Sequence, residues 1–269
     1  MSVPPVGPAL LDELDARGSA LIPGALPERL VESLLEAVTR VYERARAQGA
    51  VSETGSLHRL EMLDTDPAFL ELVDPPTTLP LVLGALGWNS HLYHSHLDVH
   101  PPEPSVPLVW RWHQDGGRQN LDLETSPRPR LSVKIAYFLS DCSQPGRGNM
   151  MVIPGSHHHD TLRRPQDGVV HTPPGAELVL ARPGDAFVFD RRLWHSRSNN
   201  GSSLTRVAIF CAYTYRWIRP RGEYPRLLAD ANLSPGRRQL LGGAASALGH
   251  WLPEASDVPL RQAAEGVSR

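Results

Sequence analysis

The chain has 269 residues, of which 41% are hydrophobic, with 27 basic and 29 acidic side chains and a net charge of −2. That apolar share can build a core and excludes disorder, while the near-neutral charge gives no field for nucleic acid or an anionic membrane. Two cysteines, Cys142 and Cys211, lie far apart without a CxxC partner, which excludes a disulfide framework and the usual structural zinc site.

In chain order, MSVPPVGPALLDELDARG has neither the basic nor the apolar region of a secretory signal. No window is long and apolar enough to span a bilayer. A soluble, cytoplasmic protein is expected. Pro8 to Arg17 predicts a short amphipathic helix, and Gly18 to Gly24 a strand ending in a turn. Pro27 opens a longer helix to about Gln48, because proline at the first turn has no N–H to waste. Leu30, Val31, Leu34, Leu35, Val38 and Val41 recur at helical spacing along it and predict packing against a sheet. A third helix is expected from Leu79 to Leu86, closed by Gly87.

From residue 90 the character becomes β. HLYHSHLDVH alternates, LSVKIAYFL is dense, and MMVIPG, ELVLARPGD, AFVFD and TRVAIFCAYTY follow, separated by Gly, Pro and Asp clusters. Short strands at such spacing predict a sandwich, barrel or jelly roll. There is no βαβ alternation and no glycine-rich nucleotide motif. Helix returns after Pro220, with Ser234-Pro235 as a cap and first-turn pair, and the polar tail from Pro253 is expected to be mobile. One domain is expected over residues 1–269: N-terminal helices over 1–89, a β core over 90–217 and a C-terminal helical segment over 218–269.

Three triplets place a histidine two residues before an aspartate: His96-Leu-Asp98, His113-Gln-Asp115 and His158-His-Asp160. On a strand such residues share a face, so each pair can grip one ion. A third ligand for His113 and Asp115 is available in His195, in the stretch FDRRLWHSRS. Two histidines and one carboxylate on one face leave open positions on an octahedral ion, as in non-haem Fe(II) oxygenases. The alternative is a polar pair beside a turn. Arg206 lies eleven residues past His195 in an apolar strand, where burial requires an anion. Its fork matches a carboxylate, and 2-oxoglutarate is a dicarboxylic acid that chelates iron at one end and reaches an arginine at the other. The alternative for Arg206 is an ion pair with a core carboxylate.

In order along the chain come WHQD at Trp112–Asp115, an N-x-x-V-I-P-G-S-H segment from Asn149 to His157, G-D-x-x-x-F-D from Gly184 to Asp190, L-W-H ending at His195, then Arg206 and Tyr213. With the opening GSALIPGALPERLVESL, these resemble the phytanoyl-CoA dioxygenase-like family of Fe(II)/2-oxoglutarate-dependent oxygenases over about residues 10 to 217. The resemblance implies a double-stranded β-helix, a jelly roll of the cupin type. It implies His113, Asp115 and His195 as iron ligands and Arg206 on the distal carboxylate of 2-oxoglutarate. His94 and Asp98 share a strand face with His96 and His100, and that face lines a pocket or meets solvent. Lys134, the only lysine, stands where the family often carries an aromatic residue beside 2-oxoglutarate. It donates to an acid there or reaches the strand edge. His157 is expected at the site mouth and His158-His-Asp160 in a surface turn. Arg197 departs from the small residue usual in the family. The loop from Gly116 to Arg130 reads as a lid that covers the pocket mouth together with the C-terminal segment after Pro220, and Arg118, Gln119 and Arg147 are candidate polar contacts.

The implied reaction takes a small-molecule substrate and O2, hydroxylates an unactivated C–H and releases succinate and CO2. A small metabolite or natural-product intermediate is expected, on the breadth of the family. Desaturation, cyclisation, epimerisation and demethylation share the same iron ligands, whereas Asp115 disfavours halogenation. Two other classes are a cupin-type metalloenzyme independent of 2-oxoglutarate and a non-catalytic binding module. The oligomeric state is left open.

Overall fold

The computed structural model describes residues 7–103, 109–166, 172–244 and 248–265. Helix α1 (Pro8–Arg17) ends at Gly18, whose φ of 76° lets its N–H close back onto the Leu14 carbonyl. Strand β1 (Ser19–Ile22), helix α2 (Glu28–Ala47), strand β2 (Leu57–Leu60) and helix α3 (Leu79–Leu86) follow. On α2, Val31, Leu34, Val38 and Val41 are buried as the helical spacing predicts, and Pro27 is the N-cap. Gly87 closes α3 by donating to the Leu83 carbonyl.

The β region comprises β3 (Ser90–His100), β4 (Ser132–Phe138), β5 (Met150–Val152), β6 (Glu177–Leu178), β7 (Ala186–Asp190), β8 (His195–Arg197) and β9 (Arg206–Tyr215). A short helix α4 (Gln119–Asp122) lies between β3 and β4, and α5 (Pro225–Leu228), α6 (Pro235–Leu240) and α7 (Pro259–Glu265) follow β9. The strands form a six-stranded sheet in the order β1-β7-β4-β9-β3-β2 and a three-stranded sheet in the order β6-β5-β8. Every pairing is antiparallel. The large sheet has helices on one face and the small sheet on the other, the double-stranded β-helix arrangement.

Period-two alternation sorts the core into two layers. Val133, Ile135 and Tyr137 of β4 and Ile209, Cys211 and Tyr213 of β9 face the helices, where they pack with Leu34 and Val82. Ala136, Phe138, Phe187, Phe189, Ala208 and Phe210 face the small sheet and meet Met150 and Val152. The two cysteines fall one in each layer, buried and free. On β3, Leu92, Leu97 and Val99 join the helix-side layer, so His94, His96 and Asp98 turn inward between the sheets. A bulge between Leu92 and His94 sets that phase.

The C-terminal tail corrects the sequence expectation. Over its described residues, 253–265, it docks instead of hanging free: Val258 and Leu260 are buried, and the Leu260 N–H donates to Gln239 Oε1 at 3.1 Å; residues 266–269 lie outside the described residues. Two apolar side chains in a polar context are enough to hold it. The Ser234 cap on α6 forms as expected, its hydroxyl accepting from the Arg237 N–H.

Candidate active site

A cavity of about 350 Å³ opens between the two sheets, within the size range of small-molecule sites. His113 and His195 are cross-strand partners that exchange both backbone hydrogen bonds at 3.0 Å, so their rings lie 4.2 Å apart on one side. Each ring makes the same local bond. His113 Nδ1 meets the Arg111 carbonyl at 2.8 Å, and His195 Nδ1 meets the Leu193 carbonyl at 2.8 Å. A carbonyl only accepts, so both Nδ1 atoms carry the hydrogen and both Nε2 atoms are the ring positions left for a ligand. One ligand atom each from His113, Asp115 and His195 lies within 4.8 Å of the others. Burial pushes the Asp115 carboxyl up, but the Lys134 ammonium, whose Nζ is 2.6 Å from Oδ2, outweighs it. Asp115 is held well below the ordinary carboxylate range. Burial pushes His195 down to about 4, which keeps its ring neutral. Two imidazoles and one carboxylate, with hydrogen bonds fixing the rings, suit a divalent iron.

The other residues of WHQDGG build the support. Trp112 and Gln114 are buried on the opposite side, and Gln114 Nε2 donates to the His159 carbonyl at 3.0 Å. The Asp115 N–H donates to the Arg191 carbonyl at 2.8 Å, and Arg191 Nη1 returns a bond to the Asp115 carbonyl at 3.2 Å. Arg191 is 1% exposed and also donates to Asn120 Oδ1 at 2.8 Å. Gly116, at φ 122°, passes so close that a Cβ there would overlap Arg191 Nη1. The glycine is therefore required by the packing as well as by the turn.

Arg206 is 2% exposed, and its Nε and Nη1 have no hydrogen-bond partner among the described residues. The nearest carboxylate oxygen, Asp98 Oδ2, stands 4.0 Å from Nη1, beyond hydrogen-bond length. Asp98 is itself surrounded. Burial opposes its charge, but His100 at 3.8 Å, the hydrogen bond from His58 at 2.6 Å and the field of Arg206 hold it well below the usual range. His94 and His96 are joined at 3.1 Å, and burial pushes His94 down to about 3. His96 stacks on Phe210 with centroids 4.4 Å apart.

His94, Asp98, Lys134, Arg197 and Arg206 thus join His113, Asp115 and His195 at one cavity. Sequence reasoning missed His58, Arg111 and Arg221, which also line it. His58 sits opposite Asp98 in the β2–β3 register, with Nδ1 2.6 Å from Oδ1. The only signal was one histidine in a four-residue strand with no apolar alternation. Several expectations are corrected. His157 lies buried under α1, its Nε2 donating to the Asp15 carbonyl, and does not reach the mouth. Arg118 pairs with Asp122, Arg147 pairs with Asp141, and no residue of 116–130 lines the cavity. That loop is pinned to the body by Arg128 and Arg130, on Asp160 and Asp190. Long arginines facing nearby carboxylates turned a lid-length loop into a strut. His158 and His159 are exposed, as a surface turn requires.

An antiparallel jelly roll with a two-histidine, one-carboxylate cluster between its sheets defines the Fe(II)/2-oxoglutarate-dependent oxygenase class. Residues 14–208 match the family model described as phytanoyl-CoA dioxygenase (PhyH), and the chain belongs to that family. It is 28% identical over 242 residues to the uncharacterized protein Rv1501 of Mycobacterium tuberculosis, covering 86% of this chain and 85% of that protein. It is 28% identical over 155 residues to the dioxygenase andF of Emericella variicolor, covering 55% and 50%. Among solved structures it is similar to HygX from Streptomyces hygroscopicus, with nickel and 2-oxoglutarate bound (TM-score 0.64, 18% identity, 86% of this chain and 95% of that one). It is also similar to the non-haem α-ketoglutarate-dependent carbocyclase SnoK of nogalamycin biosynthesis (TM-score 0.57, 21% identity, 80% and 86%).

Proposed function

We propose that the chain is a single-domain oxygenase that hydroxylates an unactivated C–H of a small metabolite or natural-product intermediate. His113, Asp115 and His195 hold Fe(II), and Arg206 binds the distal carboxylate of 2-oxoglutarate. The observation that carries this reading is the pair of rings whose Nδ1 atoms are tied to their own chain. Their Nε2 atoms are left free beside an ionised carboxylate. Bound iron and 2-oxoglutarate supply the oxidising power, consuming O2 and giving succinate and CO2.

The protein's part is positioning and shielding. Lys134 grips one oxygen of Asp115 and leaves the other for the metal; its remaining N–H groups serve a bound acid. Arg206 offers two unpaired donors in a site too buried for water to replace an anion cheaply. Asp98, being ionised, cannot donate to a dicarboxylate, and we assign it to orienting Arg206 and His58. His94, kept neutral, faces the substrate side. Phe189, Phe210 and Met150 give the cavity its apolar wall.

The test is an anaerobic titration of the apo-protein with Fe(II) and then 2-oxoglutarate, following the visible charge-transfer band of the chelate. A band in the wild type, absent in His113→Ala and weakened in Arg206→Gln, is expected. Iron binding without a band would leave a cupin-type metalloenzyme that does not use 2-oxoglutarate. No iron binding would leave a non-catalytic module.

A further inference from the structure

Five cationic side chains, Arg111, Lys134, Arg197, Arg206 and Arg221, line the cavity against two carboxylates, Asp98 and Asp115. This inference rests on the oxygenase reading above. Under it, Fe(II) and the 2-oxoglutarate dianion cancel each other, and a surplus of three positive charges stands. Lys134 is committed to Asp115, and Arg206 to the co-substrate. Among the described residues, the side chains of Arg111, Arg197 and Arg221 have no hydrogen bond or ion pair. Unpaired like charges gathered in one low-dielectric cleft repel one another and raise the energy of the empty site.

The charges fall into two groups. Arg206 acts on Arg197, His100 and Asp98, which marks the co-substrate end. Arg221 acts instead on His58 and His94, and Lys134 acts on both as well. Arg221 enters from the segment after β9 and is anchored by its backbone N–H on the Tyr93 carbonyl at 2.7 Å. Its side chain is exposed and lines the cavity. His94 and His96 do not add charge there at neutral pH, because burial keeps both neutral.

We propose that the substrate is itself a small organic anion, bearing a carboxylate or a phosphate or sulfate ester. Arg221 is its principal anchor, beside His94 at the mouth. The cavity volume admits a small acid alongside 2-oxoglutarate and excludes a large polyanion from full enclosure. A second cation is the competing occupant, since His58, His96 and Asp98 lie close enough to share one. The positive surplus and the hydrogen bond that already joins His58 to Asp98 both oppose it.

The test uses the full chain loaded with Ni(II) and saturating 2-oxoglutarate. The probes are benzoate, phenyl phosphate and inorganic phosphate, with neutral benzamide as control. Binding is read at constant ionic strength as ligand-dependent thermal stabilisation. The anions are expected to stabilise the protein and benzamide is not. Arg221→Gln is expected to weaken anion binding about tenfold and to leave the 2-oxoglutarate affinity unchanged. Arg206→Gln is expected to do the reverse. Anions that bind no better than benzamide, or an Arg221→Gln variant that binds them as the wild type does, overturn the proposal. Failure of 2-oxoglutarate to stabilise the Ni(II)-loaded wild type removes the oxygenase reading. The anion site is then judged by the benzoate and benzamide comparison alone.

Discussion

Gly116→Ala tests how tightly the WHQDGG turn is built. Gly116 has φ 122°, and its Cβ position falls on Arg191 Nη1 and 2.7 Å from Asn120 Oδ1. A side chain in that backbone region costs about 1–3 kcal/mol. Arg191 is a flexible side chain, but at 1% exposure it has no solvent to swing into. Moving it breaks at least one of the two bonds of Nη1, to the Asp115 carbonyl and to Asn120 Oδ1. A bond from a charged donor contributes about 1.5–3 kcal/mol. The sum is about 2.5–6 kcal/mol, a large part of the 5–15 kcal/mol that holds a typical domain together. The neighbouring Gly117 is the control. It has φ 48° with nothing within 4 Å of its Cβ, so Gly117→Ala carries only the left-handed backbone cost of about 1–2 kcal/mol. Urea denaturation of both variants at fixed pH gives the comparison. Equal destabilisation within about 0.5 kcal/mol would refute the packing argument, since it predicts a gap several times the spread of such fits.

Three further outcomes follow from other contacts. Gly148→Ala puts a Cβ 3.0 Å from Arg206 Cδ, so calorimetry is expected to show weaker 2-oxoglutarate binding; an unchanged affinity would separate Arg206 from the co-substrate. His58 is raised mainly by its hydrogen bond to Asp98, and Asp98 is lowered in return. The His58 contribution is therefore full below about pH 6.5 and fades as pH rises through its folded value, whereas the Asp98 contribution is lost only in acid. His58→Gln is expected to cost more at pH 5.5 than at pH 8.5, by about 0.5–1 kcal/mol after solvent screening, and denaturation curves of equal offset at the two pH values would contradict the pairing. Leu260→Ala empties a buried position in α7 and is expected to cost about 2–5 kcal/mol, with the C-terminal segment becoming the first site of limited proteolysis.

Local pattern carried much of the fold. The spacing of Leu34, Val38 and Val41, the closing Gly87 and the Ser234 cap are nearest-neighbour signals, and each produced the expected element. The alternation of β4, β7 and β9 fixed which side chains face the helices and which face the cavity, whereas on β3 the bulge between Leu92 and His94 resets the phase that the alternation predicts. The triplet at His113 and Asp115 and the distant His195 were legible because metal chemistry restricts residue type and spacing. The two other triplets show how far that goes. His158 is exposed, whereas Asp98 is ringed by His58, His96, His100 and Arg206. Only the sheet register separates these cases.

What the tertiary structure alone decided is pairing across long sequence distances. Arg128 and Arg130 fasten the 116–130 loop to Asp160 and Asp190, and Leu260 finds a buried place against α6. His58 and Arg221 reach the cavity from segments with no distinguishing motif. Lys134 meets Asp115 because β4 runs beside the turn that carries it. Charge pairing and desolvation depend on where chains cross, and no local pattern in the sequence encodes that crossing. The sequence by itself determined most of the elements, their buried faces and the residue types of the candidate metal site. The tertiary structure determined which charges are neutralised, which stay unpaired at the cavity, and so what kind of molecule the cavity can hold.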